Sequence, residues 1–278
     1  MKNLNQLLNQ YNLRPRKGLG QNFLTDPFHL NKIVSTADVE QTDTILEVGP
    51  GPGALTELLA ERAQHVVAVE VDRGMVNLLR HEYTDLDNLT IIEADILKTS
   101  IDELFQKCQL PIANHQYSVV ANLPYYITSA VIRHLLEADP APKRIVVTIQ
   151  KEVAQRIVAK AGKMSLLAVS VQFYGQPSLI HHIPAGAFYP SPKVDSAVLR
   201  IDTFTERPVI VSDENLFFRV VKAGFSQKRK QLKNSLAGGL QRPIKEITPL
   251  IEQANIDPKR RAETLTLTEW GRLTETIR

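Results

Sequence analysis

The sequence predicts an α/β protein, a mainly parallel, doubly wound seven-stranded sheet followed by a small all-helical C-terminal domain. Three observations carry this. Seven short β-rich runs lie between Thr44 and Ile201, helical patterns alternate with them, and the β signal stops after Thr203. The runs are TILEV, HVVAVEV, LTIIEA, YSVVAN, RIVVTIQ, SLIHHI and SAVLRI. The last two are joined by the loop GAFYPSPKVD with no helix between them, so an antiparallel, hairpin-like pair is expected to close the sheet. Pro190 and Pro192 stiffen that loop and forbid regular pairing, which lets it hold an aromatic ring above the strand ends.

After Thr203, DENLFFRVVKAGF spaces Leu216, Phe217, Val220 and Val221 as one helical face, and the charged stretch SQKRKQLKNSL follows. The expected boundaries are 1–203 for the sheet domain, with a basic N-terminal arm over 1–25, and 204–278 for the helical domain. A helix is expected to start near Pro27, capped by Asp26.

With 278 residues and 43% apolar content, the chain can bury a substantial core. Its start has no unbroken apolar stretch, and no later run is long enough to span a bilayer, so a soluble cytoplasmic protein without a membrane partner is expected. The lone Cys108 excludes an internal disulfide framework and a cysteine-based zinc site. His181 and His182 sit in a predicted strand without spaced partners, so no metal is expected. The net charge of +3 is unevenly divided: 14 basic and 9 acidic residues follow from Phe204 onward, against 19 and 21 before it. A basic C-terminal part points to an anionic partner, nucleic acid before membrane.

ILEVGPGPGALTELLAERA places Gly49, Gly51 and Gly53 directly after a strand and before a helix, where backbone passes close to a ligand. Gly49, Gly51 and Ala54 also satisfy a dinucleotide fingerprint, so a nicotinamide or flavin enzyme stays open at this point. Glu70, about 20 residues on at the end of the next strand, suits the hydroxyls of a ribose, which both cofactor classes contain. Three features favour S-adenosylmethionine. Glu47 puts a carboxylate beside a cationic, amino-acid-bearing ligand where a pyrophosphate would be repelled. Asp95 ends the third strand, where it can accept from an adenine amino group, and Asn122 follows the fourth.

Asn122-Leu123-Pro124-Tyr125 stands where the strand YSVVAN gives way to a helix. The exocyclic amine of adenine is a poor nucleophile because its lone pair is delocalised, and two acceptors aimed at its protons would localise that pair. Asn122 offers its side-chain carbonyl, and Pro124 fixes a turn that points a main-chain carbonyl, that of Leu123, at the same spot. Tyr125 would stack on the purine, and Phe188 would close on the other face of an extruded base.

GLGQNFL, EVGPGPGALT, VEVD, ADIL, NLPY, QKEVAQRI and FYPSPKVDSAVLR, in this order, resemble the rRNA adenine N6,N6-dimethyltransferases over nearly the whole chain. PKVDSAV and the helical C-terminal domain are more similar to the bacterial branch that dimethylates two adjacent adenosines near the 3′ end of small-subunit (16S) rRNA. The related branch modifies large-subunit rRNA and confers macrolide resistance. The resemblance implies a Rossmann-like methyltransferase sheet, S-adenosyl-L-methionine as cofactor, and a partner rRNA in an assembling small subunit; a monomer is expected. It also implies cofactor contacts at Gln21, Asn22, Leu24, Gly49, Gly51, Glu70, Asp95, Ile96 and Asn122. Lys228, Arg229, Lys230 and Lys233 are expected to form a basic helical surface for rRNA phosphates. A large-subunit rRNA methyltransferase, and an RNA-binding ribosome-assembly factor on the same fold for which methylation is secondary, are the competing readings.

Overall fold

A computed structural model describes residues 4–110 and 112–278; residues 1–3 of the expected basic arm lie outside the described residues. The strands are β1 Phe23–Leu24, β2 Thr44–Val48, β3 His65–Glu70, β4 Leu89–Glu93, β5 Tyr117–Asn122, β6 Arg144–Gln150, β7 Gly175–Ile183, β8 Phe188–Tyr189 and β9 Ser196–Thr203. Seven of them form one sheet in the order β4-β3-β2-β5-β6-β9-β7, and each of the seven expected runs supplies one. β2 pairs in parallel with both β3 and β5, β3 with β4, and β5 with β6, while β9 runs antiparallel to β6. The β-branched runs of β2 and β5 have no polar alternation because helices cover both faces, and Ile45, Leu46, Val119 and Val120 are fully buried.

The chain moves outward from β2 to β4 and then returns to lay β5 on the other side of β2. This reversal is a switch point, where the loops after neighbouring strands diverge and open a crevice at their carboxyl ends. Helix α1 spans Leu4–Gln10. Helix α2, Pro27–Ala37, starts where the sequence placed it: Asp26 accepts from the Phe28 amide at 2.8 Å, and Pro27 needs no donor there.

β1 and β8 form a separate two-stranded antiparallel ribbon, with Phe23 opposite Tyr189 and Leu24 opposite Phe188. This corrects the expectation that the proline loop escapes regular pairing. Phe188 and Tyr189 precede Pro190 and pair with β1, so pairing ends only where the prolines begin.

The chain divides into two compact units, 1–154 with 178–203 and 155–177 with 204–278. The second unit therefore takes a segment, Gln155–Pro177, that lies inside the expected 1–203 domain. The apolar face of the helix Leu166–Tyr174 accounts for it: Ala168, Val169 and Phe173 join the cluster of Phe217, Val220, Leu236, Ile251 and Trp270. Phe173 and Phe217 stack at 4.6 Å, and the Arg207 guanidinium lies 4.3 Å from the Tyr174 ring centroid.

Candidate active site at the ends of β2, β3, β4 and β5

The turn after β2 is built for close approach of backbone to ligand. Gly49, Gly51 and Gly53 have φ of 70°, 55° and 93°, values that a side chain disfavours. Space forbids one as well: a Cβ on Gly51 would sit 2.8 Å from the Phe23 ring, and one on Gly53 would sit 2.4 Å from the Tyr83 ring. Above this turn lies a cavity of about 280 Å³. Gln21, Asn22, Gly49, Gly51, Glu70, Asp95 and Ile96 line it on the cofactor side, and Asn122, Leu123, Pro124, Tyr125 and Phe188 line it beyond. Leu24 does not line it; its side chain is buried in the core with Leu30 and Ile33.

Glu70 is the anchor of the turn. Its Oε2 accepts from the Gly51 amide at 3.1 Å, and its Oε1 accepts from the Val71 and Asp72 amides, both at 2.9 Å. Burial pushes this carboxyl above the usual range and the three amides oppose that push. Asp95 is half-buried and closes its own turn by accepting from the Leu97 amide at 3.1 Å, with Lys98 at 3.5 Å from its other oxygen. Asp95 thus caps its own turn and lines the cavity as well. Glu47 lies outside the main cavity, in a hollow of about 30 Å³ shared with Gly49, Pro50 and Asn122. It is 1% exposed and its Oε2 has no hydrogen-bond partner among the described residues. Burial pushes its pKa up to about 8, the neighbouring Thr56 hydroxyl opposes this and the charge of Glu70 adds to it.

Both ends of the Gln21 amide are used within the protein, accepting from the Arg16 amide at 2.8 Å and donating to Asp72 at 3.0 Å. Asp72 is 2% exposed and also pairs with Arg16 at 3.3 Å. Gln21 therefore holds the arm over the cavity, through a carboxylate that sequence reasoning passed over.

Asn122 is oriented in the same way. Its Nδ2 donates to the Asn22 carbonyl at 3.0 Å, and since only the amide nitrogen can donate, the Oδ1 is left as an acceptor in the cavity wall. The Pro124 carbonyl is taken by the Ile127 amide and the Thr128 hydroxyl, each at 3.2 Å. The Leu123 carbonyl receives no such bond among the described residues, and so is the free one of the two. The Tyr125 hydroxyl meets Ser196 Oγ at 2.7 Å, and Ser196 is fully buried at the start of β9.

Among the described residues no lysine or arginine lines the cavity. A pyrophosphate would find no counter-charge there, whereas hydroxyls, an amine and an ammonium group would find carboxyls. A nicotinamide or flavin dinucleotide would have only the backbone amides of the glycine turn to meet its pyrophosphate beside these carboxyls.

The family model described as ribosomal RNA adenine dimethylase matches residues 12–273. The chain belongs to the ribosomal RNA adenine dimethylase family. The relative named ribosomal RNA small subunit methyltransferase A from Dehalococcoides mccartyi is 48% identical over 268 residues, 96% of this chain and 90% of that one. Its counterpart from Bacillus licheniformis is 41% identical over 282 residues, covering 98% and 94%. Among solved structures, the 23S rRNA methyltransferase ErmE superposes with a TM-score of 0.71 at 26% identity, over 92% of this chain and 99% of that one. A dimethyladenosine transferase from Plasmodium falciparum shares the fold, with a TM-score of 0.75 at 24% identity over 90% and 95%.

In this member of the adenine dimethylase family, the basic cluster needs one correction. Lys228, Arg229 and Lys230 are exposed in a turn after a 3-10 segment, Phe225–Gln227, and only Lys233 lies on the helix Leu232–Leu240. The amides of Leu232 and Lys233 donate to the carbonyls of Arg260 and Pro258 at 2.7 and 3.3 Å, which starts a new helix axis there and leaves the three cations on a loop. His181, read as having no metal-ligand spacing, meets His29 at 2.8 Å between ring nitrogens.

Proposed function

We propose that the chain transfers methyl groups from S-adenosyl-L-methionine to N6 of two adjacent adenosines near the 3′ end of small-subunit (16S) rRNA, giving N6,N6-dimethyladenosine during subunit assembly. The single observation that carries the chemistry is the Asn122 amide, fixed by the Asn22 carbonyl so that Oδ1 is the group presented. The names of the relatives support small-subunit rRNA over large-subunit rRNA as substrate, with identities of 39–48% against 26% to ErmE.

Glu70 would hold the ribose hydroxyls, Asp95 the adenine amino group with Ile96 against the ring, and the backbone of Gly49 and Gly51 the amino-acid portion. Bound there, the cofactor supplies an electrophilic sulfonium methyl group. In the first transfer Asn122 Oδ1 and the Leu123 carbonyl would accept hydrogen bonds from the two N6–H groups of the target adenine and draw its lone pair out of the ring; in the second, the one remaining N6–H keeps one of these acceptors. Tyr125, tied to Ser196, presents a fixed ring face to the base, and Phe188, held by the β1–β8 ribbon, covers the other. A neutral amide suffices because the alkylated nitrogen is far more acidic than the amine and gives its proton to water. Lys228, Arg229, Lys230 and Lys233 would contact rRNA phosphates from the second unit, which we take to be the RNA-binding domain.

The test is to incubate the chain with labelled S-adenosylmethionine and either small subunits lacking the modification or naked large-subunit rRNA, and to map the labelled base. Label on two adjacent small-subunit adenosines is expected. Label on large-subunit rRNA alone would assign the chain to the other branch, and no label on either would leave RNA binding without catalysis.

A further inference from the structure

Beside the cavity lies a second concavity of about 890 Å³, walled by the N-terminal segment from Asn5 to Asn22 and by the loop Tyr189–Val194. It shares Gly20, Gln21, Asn22 and Tyr125 with the cavity, so a strand that delivers a base past Asn22 and Tyr125 continues directly into it. Its charge is one-sided. Among the described residues Arg14, Lys17 and Lys193 line it and no carboxylate does. All three are exposed, and none forms an ion pair or side-chain hydrogen bond with a described residue. Arg16, two residues from Arg14, shows the contrast by pairing with Asp72. Three uncompensated cations around a groove of this size are an electrostatic match for phosphodiesters.

The groove also carries an aromatic ring. Tyr189 is 44% exposed, yet its backbone is fixed by pairing with Phe23 and by Pro190 after it. A ring held in one place with an open face is the usual platform for an unpaired base.

We infer that this groove binds the nucleotide adjoining the target adenosine in a single-stranded stretch of RNA, with Arg14, Lys17 and Lys193 on its phosphates and Tyr189 stacked on its base. The inference rests on the rRNA reading above. It divides the labour: Asn122 and Tyr125 act on the extruded base, and the groove sets which base of the strand is extruded by holding its neighbour. Where two adjacent adenosines are both substrates, the groove holds the one that is not being methylated.

The probe is a fluorescent oligoadenylate, titrated onto the full-length chain at several salt concentrations and read by anisotropy, so that no methylation is needed. Each phosphate contact on a single strand contributes about 0.7 to the slope of log affinity against log salt, so Arg14→Gln, Lys17→Gln and Lys193→Gln together are expected to flatten it by about 2. Tyr189→Ala is expected to weaken binding about five- to a hundredfold while Tyr189→Phe restores it. S-adenosylhomocysteine affinity, unchanged in all these variants, reports that the fold is intact. An unchanged slope in the triple variant, or no measurable binding by the wild type, overturns the inference. A wild-type chain whose slope collapses in the triple variant but which leaves small subunits unmethylated upholds the groove and overturns the proposed function instead.

Discussion

If Glu47, in the hollow that it shares with Gly49, is the counter-charge of the ligand's ammonium group, lowering the pH from 7 to 6 should weaken S-adenosylhomocysteine binding about tenfold, since that role needs an ionised carboxylate and each unit below its pKa costs about 1.4 kcal/mol. The carboxyl is buried, one oxygen is unpartnered, and its pKa is pushed up to about 8, so the ligand-free chain holds it protonated at neutral pH. The ligand's own amine stays charged below about pH 8, so its titration does not obscure the slope. Calorimetry in two buffers of different ionisation enthalpy should show close to one proton released on binding at pH 7. Glu47→Gln removes the titrating group and should abolish both the slope and the release. The stability of the ligand-free chain carries the same signature. A folded-state pKa above the unfolded value means that the folded chain holds the extra proton, so the contribution of Glu47 is fully present below about pH 4.3 and is lost as pH rises to about 8. Thermal melts of wild type and Glu47→Gln should therefore diverge across that window. A flat affinity between pH 6 and 7, or an identical slope in Glu47→Gln, would refute the placement of this carboxyl beside the ammonium.

Glu70→Ala should weaken S-adenosylmethionine binding with rRNA binding nearly intact, and should also lower the melting temperature, because the Gly51, Val71 and Asp72 amides lose their acceptor, at about 1–3 kcal/mol for an amide that stays buried; unchanged cofactor affinity in calorimetry would remove Glu70 from the site. Charge reversal of Lys228, Arg229 and Lys230 should weaken small-subunit binding and flatten its salt dependence without touching cofactor affinity. An identical slope in a salt titration means that this turn does not face RNA. Tyr125→Ala should cost capture of the target base about 1–3 kcal/mol if stacking is its main role. Tyr125→Phe, which loses only the bond to Ser196, should cost about 0.5–1.5 kcal/mol; equal losses in the two variants, read from KM under single-turnover control, would argue against stacking.

The seven-stranded sheet was legible because each strand is a buried run of β-branched residues between helical patterns, and burial on both faces writes itself as unbroken hydrophobicity. The glycines, Glu70, Asp95 and Asn122 were legible because a switch-point crevice draws its residues from strand ends, whose positions the runs fix. What was lost depends on contacts distant in sequence. The β1–β8 ribbon joins Phe23 to Tyr189 through strands of two residues, too short for any periodicity. Asp72 clamping Gln21 and Ser196 anchoring Tyr125 join residues 51 and 71 positions apart. Val71, right after Glu70 in VEVD, is exposed and lines the cavity, which its apolar character alone does not announce. The helical reading of Lys228 to Lys233 failed because local charge spacing cannot show that Pro258 and Arg260 offer carbonyls to begin a new axis.

Everything in the proposed chemistry turns on Asn122 Oδ1 as an acceptor, and single-turnover methyl transfer to small subunits lacking the modification, with cofactor and RNA affinities measured alongside, tests it most directly. Asn122→Ala is expected to slow transfer by a factor on the order of a hundred or more while both ligands still bind, since a preorganised acceptor acts chiefly in the transition state. Transfer by Asn122→Ala at the wild-type rate would contradict the account and leave Asn122-Leu123-Pro124-Tyr125 as a structural turn.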